Sequence, residues 1–342
     1  MRKRELILLS LSHLLVDGIC AATLLADKSV RDLGVAILLY NTLAFSTQCL
    51  TGMLPDRFGR GRQLVLLSAL MLGLGAQQFL PLMVRAAVLG LGNSLFHVSG
   101  GYLTLKSSRT LGPLGIFVAP GAVGLFLGGA WPALRVPMAD LFLILAGILV
   151  LSSKEEAAAD RPKEEIGPAR AAKDRTFSRP PLLLVAFLLL AIAARAIGGS
   201  AITFPWKEGL LPEIFLVAAV FLGKSMGGLL ADRFGIRPIA FLSVGLAAVL
   251  LALGGQWMAP SLLGQWALNL AMPLTLYLLY RLYPDSPGFA FGLAASALWP
   301  GVIMGNMMEP QGIWAGILAA AAFLLGLAAI LITERRVHHE KI

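Results

Sequence analysis

Long uncharged runs separated by short basic turns dominate the chain. The runs extend over about Leu6–Ala26, Leu33–Leu54, Leu64–Leu82, Ala86–Leu105, Leu111–Ala130 and Pro137–Leu151, then over about Leu182–Phe204, Ile214–Ala231, Ile239–Met258, Ser261–Tyr283, Gly288–Met308 and Ile313–Thr333. Each is near the ~20 residues a helix needs to cross hydrocarbon. The pattern predicts an all-α polytopic membrane protein with 12 transmembrane helices in two six-helix bundles. Between the sets, Lys154 to Pro180 holds seven Lys/Arg and six Asp/Glu with no apolar period, the signature of a mobile or partly helical linker. The expected organisation is an N-terminal bundle over 1–153, a linker over 154–180 and a C-terminal bundle over 181–342.

The two sets are related by a repeat. Gly52-Met53-Leu54-Pro55-Asp56-Arg57-Phe58-Gly59-Arg60 returns as Gly228-Leu229-Leu230-Ala231-Asp232-Arg233-Phe234-Gly235-Ile236, an offset of 176 residues with six of nine positions identical. Leu6 shifted by the same 176 lands on Leu182, the start of the second set. Motif and hydropathy therefore agree on a parallel repeat, a recurring plan for transporters.

Composition supports the membrane reading. Hydrophobic residues make up 57% and charged residues 14%, with a mean hydropathy of +0.79, far from the balance of a soluble domain. The net charge of +9 sits in turns, where it orients a membrane protein and does not indicate a nucleic-acid partner. Counted by alternate segments, 21 Lys and Arg fall on the side of the amino terminus and five on the other, namely Lys28, Arg31, Arg85, Arg135 and Lys207. Both termini and the linker are therefore expected in the cytoplasm, the protein in the plasma membrane, and the first run retained as a span. Cys20 and Cys49 lie inside apolar runs and imply no disulfide framework. The sequence holds no phosphate-binding loop and no paired metal signature, so neither an enzyme nor a cofactor is expected.

Ionisable groups deep in spans are costly and mark candidate sites. His13 and Asp17 stand four apart on one face of the first span, Asn93 and His97 likewise in the fourth, Arg195 is deep in the seventh, and Gln265 and Asn269 share a face of the tenth. Asn269 is the repeat counterpart of Asn93. Lys224 lies inside the eighth span and is expected to snorkel to headgroups or pair between helices. In the repeated turn, Asp56 and Asp232 are placed to meet the positive end of a neighbouring helix and a nearby arginine, while Gly59 and Gly235 allow a sharp turn.

The motif Gly52-x-x-x-Asp56-Arg57-x-Gly59-Arg60-x-Arg62 resembles the signature of the major facilitator superfamily between its second and third helices, and the resemblance covers essentially the whole chain. It implies two six-helix bundles whose helices 1, 4, 7 and 10 line a central cavity, with the repeated turns locking one side shut. The second copy carries Ile236 where a basic residue is usual, implying a weaker second lock. Ser12-His13-Leu14-Leu15-Val16-Asp17, Asn93-Ser94-Leu95-Phe96-His97 and the stretch from Ile116 through Pro120-Gly121 to Gly128 resemble helices 1, 4 and 5 of the fosmidomycin-resistance branch of drug:proton antiporters. That branch implies proton-coupled export.

Together these readings make the expected function that of a monomeric secondary transporter for a small organic anion, zwitterion or drug-like solute, with protons as coupling ion. A substrate competing for Arg195 would free Asp17 to take a proton, and His13 or His97 could carry it instead. The alternative is a divalent transition-metal carrier, with His13, Asp17 and His97 as ligands.

Overall fold

The computed structural model describes residues 3–26, 31–108, 110–159, 181–308 and 313–339. Among them are twelve helices: α1 (Lys3–Leu24), α2 (Leu33–Phe58), α3 (Gly61–Gly75), α4 (Leu82–Ser107), α5 (Gly112–Ala130), α6 (Pro132–Ser152), α7 (Leu182–Ala201), α8 (Leu210–Phe234), α9 (Ile236–Gly254), α10 (Met258–Leu282), α11 (Pro287–Gly305) and α12 (Ile313–Val337). All except α3 are long and apolar enough to cross a membrane. The helix of α6 continues to Ala159, so the start of the expected linker is helical. Residues 160–180 of that linker lie outside the described residues, as do Lys28 and Arg109 of the charge count.

The third span is shorter than its apolar run suggests. Helix α3 ends at Gly75, and Gln77 turns back to donate its side-chain Nε2–H to the Gly73 carbonyl at 2.9 Å, satisfying a terminal acceptor. Leucines up to Leu82 belong to the turn and to the start of α4.

Packing repeats with the sequence. In the first half α1 lies against α5 and α6, α3 against α4 and α6, and α2 against α4; in the second half α7 lies against α11 and α12, α9 against α10 and α12, and α8 against α10. Every pair recurs six helices later. Small residues permit these contacts, because helices surrounded by lipid gain little from apolar burial and depend on close packing. A Cβ on Gly124 of α5 would lie 2.0 Å from the Leu14 carbonyl of α1. Large apolar side chains instead face outward, as with Leu182 (79% exposed) and Leu253 (74%).

The halves meet mainly on the side of the repeated turns. Residues 42–58 of α2 run along α11, and residues 112–118 of α5 run along α8, whereas Leu33–Asn41 packs on helices of its own half. The two halves are thus shut on the motif side and parted toward the other.

Candidate functional site

Each motif aspartate caps a helix of the opposite half. The Asp56 carboxylate accepts the Gly288 and Phe289 amides at the start of α11, at 2.8 and 2.7 Å. Asp232 accepts the Leu111 and Gly112 amides at the start of α5, at 2.7 and 2.8 Å. A carboxylate at a helix N-terminus satisfies orphan donors and meets the positive end of the dipole. The backbones touch there: a Cβ on Gly52 would lie 2.3 Å from the Gly288 carbonyl, and one on Gly228 would lie 2.3 Å from the Leu111 carbonyl. Gly59 at φ 65° and Gly235 at φ 90° make the turn after each aspartate. The expected aspartate–arginine pairs are absent among the described residues. Arg57 and Arg233 instead lie over the rings of Phe58 and Phe234, at 5.8 and 5.4 Å.

Above this closed side lies a cavity of about 290 Å³ between the halves. From α1 and α4 it receives His13, Asp17, Asn93 and His97; from α7 and α8 it receives Arg195 and Lys224. Acidic and imidazole groups come from the first half, and the arginine and lysine come from the second.

The first-half cluster is tightly ordered. His13 Nδ1 lies 2.8 Å from the Phe117 carbonyl and His97 Nδ1 lies 2.9 Å from the Asn93 carbonyl. A carbonyl only accepts, so both Nδ1 atoms carry protons and both Nε2 atoms face Asp17. His13 Nε2 is 3.4 Å from Asp17 Oδ2, and His97 Nε2 is 3.7 Å from Oδ1. Asn93 donates its side-chain amide to Oδ1 at 3.2 Å. The ligand atoms of His13, Asp17 and His97 lie within 4.8 Å of one another. Three acceptors converge, an arrangement that is repulsive until a proton or a cation sits among them.

Helix α5 makes room for this cluster at Gly121. A Cβ there would lie 2.3 Å from Asp17 Oδ2 and 2.6 Å from His13 Nε2. Only a residue without a side chain lets α5 back the pair.

On the opposite wall, Arg195 Nε is buried with no hydrogen-bond partner among the described residues. Lys224 lies within coulombic range of both Asp17 and Arg195. Lys224 lines the cavity, where it was expected to snorkel to headgroups or pair between helices, and its carbonyl lies against α5, 2.5 Å from where a Cβ on Gly115 would be. Gln265 and Asn269 are not among the residues lining the cavity. Asn269 donates back to the Gln265 carbonyl at 2.8 Å, and its Cβ packs against Gly223 of α8.

Helix α2 contributes cavity residues that span-by-span reading passed over, among them Tyr40, Asn41 and Gln48. The repeat offered a signal, since Gln48 is the counterpart of Lys224.

No protein-family model matches the sequence, and no curated protein matches it. Solved structures match along nearly its full length. The E. coli fucose:proton symporter FucP superposes at a TM-score of 0.63 and 14% identity, covering 97% of this chain and 99% of that one. The proton:xylose symporter XylE, a major facilitator superfamily protein, gives 0.65 and 14%, covering 98% and 95%. A bacterial homologue of the iron transporter ferroportin in its outward-facing state gives 0.57 and 14%, covering 98% and 99%. At such identities the likeness concerns architecture, and the fold of this chain is that of the major facilitator superfamily transporters.

Proposed function

We propose that the protein is a secondary transporter that moves a small organic anion or zwitterion by alternating access, with protons as the coupling ion. The observation that carries this reading is the cavity between the halves, where Arg195 and Lys224 face the cluster of Asp17, His13 and His97. Arg195 and Lys224, with no ion-pair partner among the described residues, favour an anionic group on the cargo, and the converging Nε2 and carboxylate atoms supply a place for a proton.

With the termini in the cytoplasm, the closed motif side is the cytoplasmic side and the cavity faces outward. Substrate and proton then share one site between two rigid halves. An anion drawn to Lys224 weakens the hold of that ammonium on Asp17, and Asp17 takes its proton at that moment. Breaking the caps on Asp56 and Asp232 opens the other side. The sense of exchange, export against entering protons, rests on the sequence resemblance of the first, fourth and fifth spans. The cavity takes its acidic, imidazole and cationic groups all from one chain, which supports a monomer.

The convergence of three ligand atoms also favours a second reading, a divalent transition-metal carrier. The adjacent Arg195 and Lys224 weigh against it, since both repel a cation.

The test is proton movement in proteoliposomes challenged with organic anions, zwitterions and divalent metals, with the pH gradient imposed in either sense. Proton flux triggered by an anion carries the first reading and its sign gives the direction. Flux triggered only by a metal replaces it with the second.

A further inference from the structure

Helix α2 changes its hydrogen-bonding pattern where it meets α11. Residues Thr42–Ser46 form a turn of π-helix, and α-helical bonding resumes at Gln48. At this point a side chain of the other half enters the backbone. The Cys49 amide donates to Ser296 Oγ at 3.1 Å, and the Ser296 hydroxyl donates to the Phe45 carbonyl at 2.9 Å, with the Ser46 carbonyl at 3.4 Å as a second acceptor. Phe45 and Cys49 are four residues apart, the pair that a regular α-helix joins directly. Ser296 therefore bridges a rung of the α2 ladder from outside the helix. Side chains inserted in this way bend helices, and π turns mark places where a helix rearranges. One turn farther along α11, Trp299 stacks on Phe45 with ring centroids 6.1 Å apart and planes at 12°.

The equivalent seam lacks the device. The repeat counterpart of Ser296 is Pro120, which has no hydroxyl, and α8 is α-helical without interruption from Leu210 to Phe234. The bridge is thus a property of one seam and not a consequence of the symmetric architecture.

We propose that Ser296 is a positioning residue for the transport cycle: it holds the bridged, π-turned form of α2 while the motif side is shut and lets α2 return to regular α-helical bonding when α2 and α11 part. This rests on the alternating-access reading above. When the seam opens, the Cys49 amide can return to the Phe45 carbonyl, and the serine hydroxyl can turn to the carbonyl of Gly292 on its own helix. The Cys49 amide, the Phe45 carbonyl and the Ser296 hydroxyl thus each have a partner in either state, as a two-state element requires. Phe45 and Gln48 line the cavity, so the same rearrangement reshapes the site as the opposite side opens.

Hydrogen exchange read by mass spectrometry on the full-length protein, beside the proteoliposome proton-flux assay above, tests this by comparing wild type, Ser296→Ala and Ser296→Thr. In Ser296→Ala, exchange should rise about tenfold at both sides of the seam, residues 45–58 and 285–296, reflecting the loss of about two net hydrogen bonds that favour the shut form. Residues 65–75 of α3 should be unchanged, and Ser296→Thr should restore both the exchange and the transport rate. Unchanged exchange at the seam overturns the proposal, as does a rise shared with α3, which would mean general loosening. Loss of transport with wild-type exchange at the seam also overturns it while leaving the transporter reading in place.

Discussion

The Gly288 amide lies 2.8 Å from Asp56 Oδ1, and the Gly112 amide lies at the same 2.8 Å from Asp232 Oδ2. These glycines are repeat counterparts, yet the second donor differs. Asp56 takes Phe289, on the far side of Gly288, because Pro287 on the near side has no amide hydrogen. Asp232 takes Leu111, on the near side of Gly112, because Pro113 on the far side has none. Each carboxylate uses the two donors its helix start offers, and both caps cross from one half to the other.

Both caps therefore stabilise the same shut state. Losing a side-chain cap costs roughly 0.5–2 kcal/mol, and Asp56→Asn keeps an acceptor while losing the charge. Transport by Asp56→Asn should fall about tenfold with insertion and thermal stability retained. Asp56→Asn combined with Asp232→Asn should combine the two losses nearly additively, because the sites share no partner. Initial rates in proteoliposomes beside melting curves decide this, and a wild-type rate in the double variant would leave the caps without a role in the cycle.

Gly121 gives a sharper probe of the cluster. Gly121→Ala places a methyl group 2.3 Å from Asp17 Oδ2, so the carboxylate has to leave His13. At Gly129, two turns along the same helix, an added Cβ meets nothing closer than Leu25 Cδ1 at 3.6 Å. Gly121→Ala should lose accumulation driven by a pH gradient, and Gly129→Ala should keep it. Equal behaviour of the two would separate the His13–Asp17 contact from coupling.

For the cationic wall, the expected effect is on affinity. Hydrogen bonds to charged groups contribute about 1.5–3 kcal/mol, so Arg195→Ala should raise KM for an anionic substrate roughly ten- to hundredfold with a smaller change in kcat. Lys224→Ala should act in the same direction. A neutral analogue of the substrate should lose this discrimination. If both variants bind anion and neutral analogue as the wild type does, the cations do not contact cargo.

Much of the architecture was legible because apolar run length and a repeated nine-residue turn report directly on spans and symmetry. Height along each helix was legible too, since Asn93 and Asn269 are counterparts. Rotation about the helix axis was not. Asn93 reaches Asp17, whereas Asn269 turns back to Gln265 beside Gly223, and the difference lies in how α10 packs against α8. The same ambiguity hid the inward setting of Lys224. Ser296 escaped notice, and Gly121 entered only as part of a resemblance, for another reason: a serine or glycine in a span is ordinary, and its role exists only when another helix is laid against it. The third span ended early because terminal leucines satisfy a hydropathy window as well in a turn as in a helix.

Asp17 itself separates coupling from movement. In the wild type its two oxygens face the Nε2 atoms of His13 and His97, whose Nδ1 protons are committed to the Phe117 and Asn93 carbonyls. Asn at this position is neutral and brings its own amide protons, so it can donate toward one Nε2 without any proton from solution. The cluster is then satisfied in one fixed state and has no reason to bind or release a proton as the halves exchange. Asp17→Asn should therefore retain exchange of labelled for unlabelled substrate across the membrane while losing accumulation driven by a pH gradient. Both assays use the same vesicles, so a folding defect would remove both signals and is recognised at once. Retained gradient-driven accumulation would move the coupling proton away from Asp17.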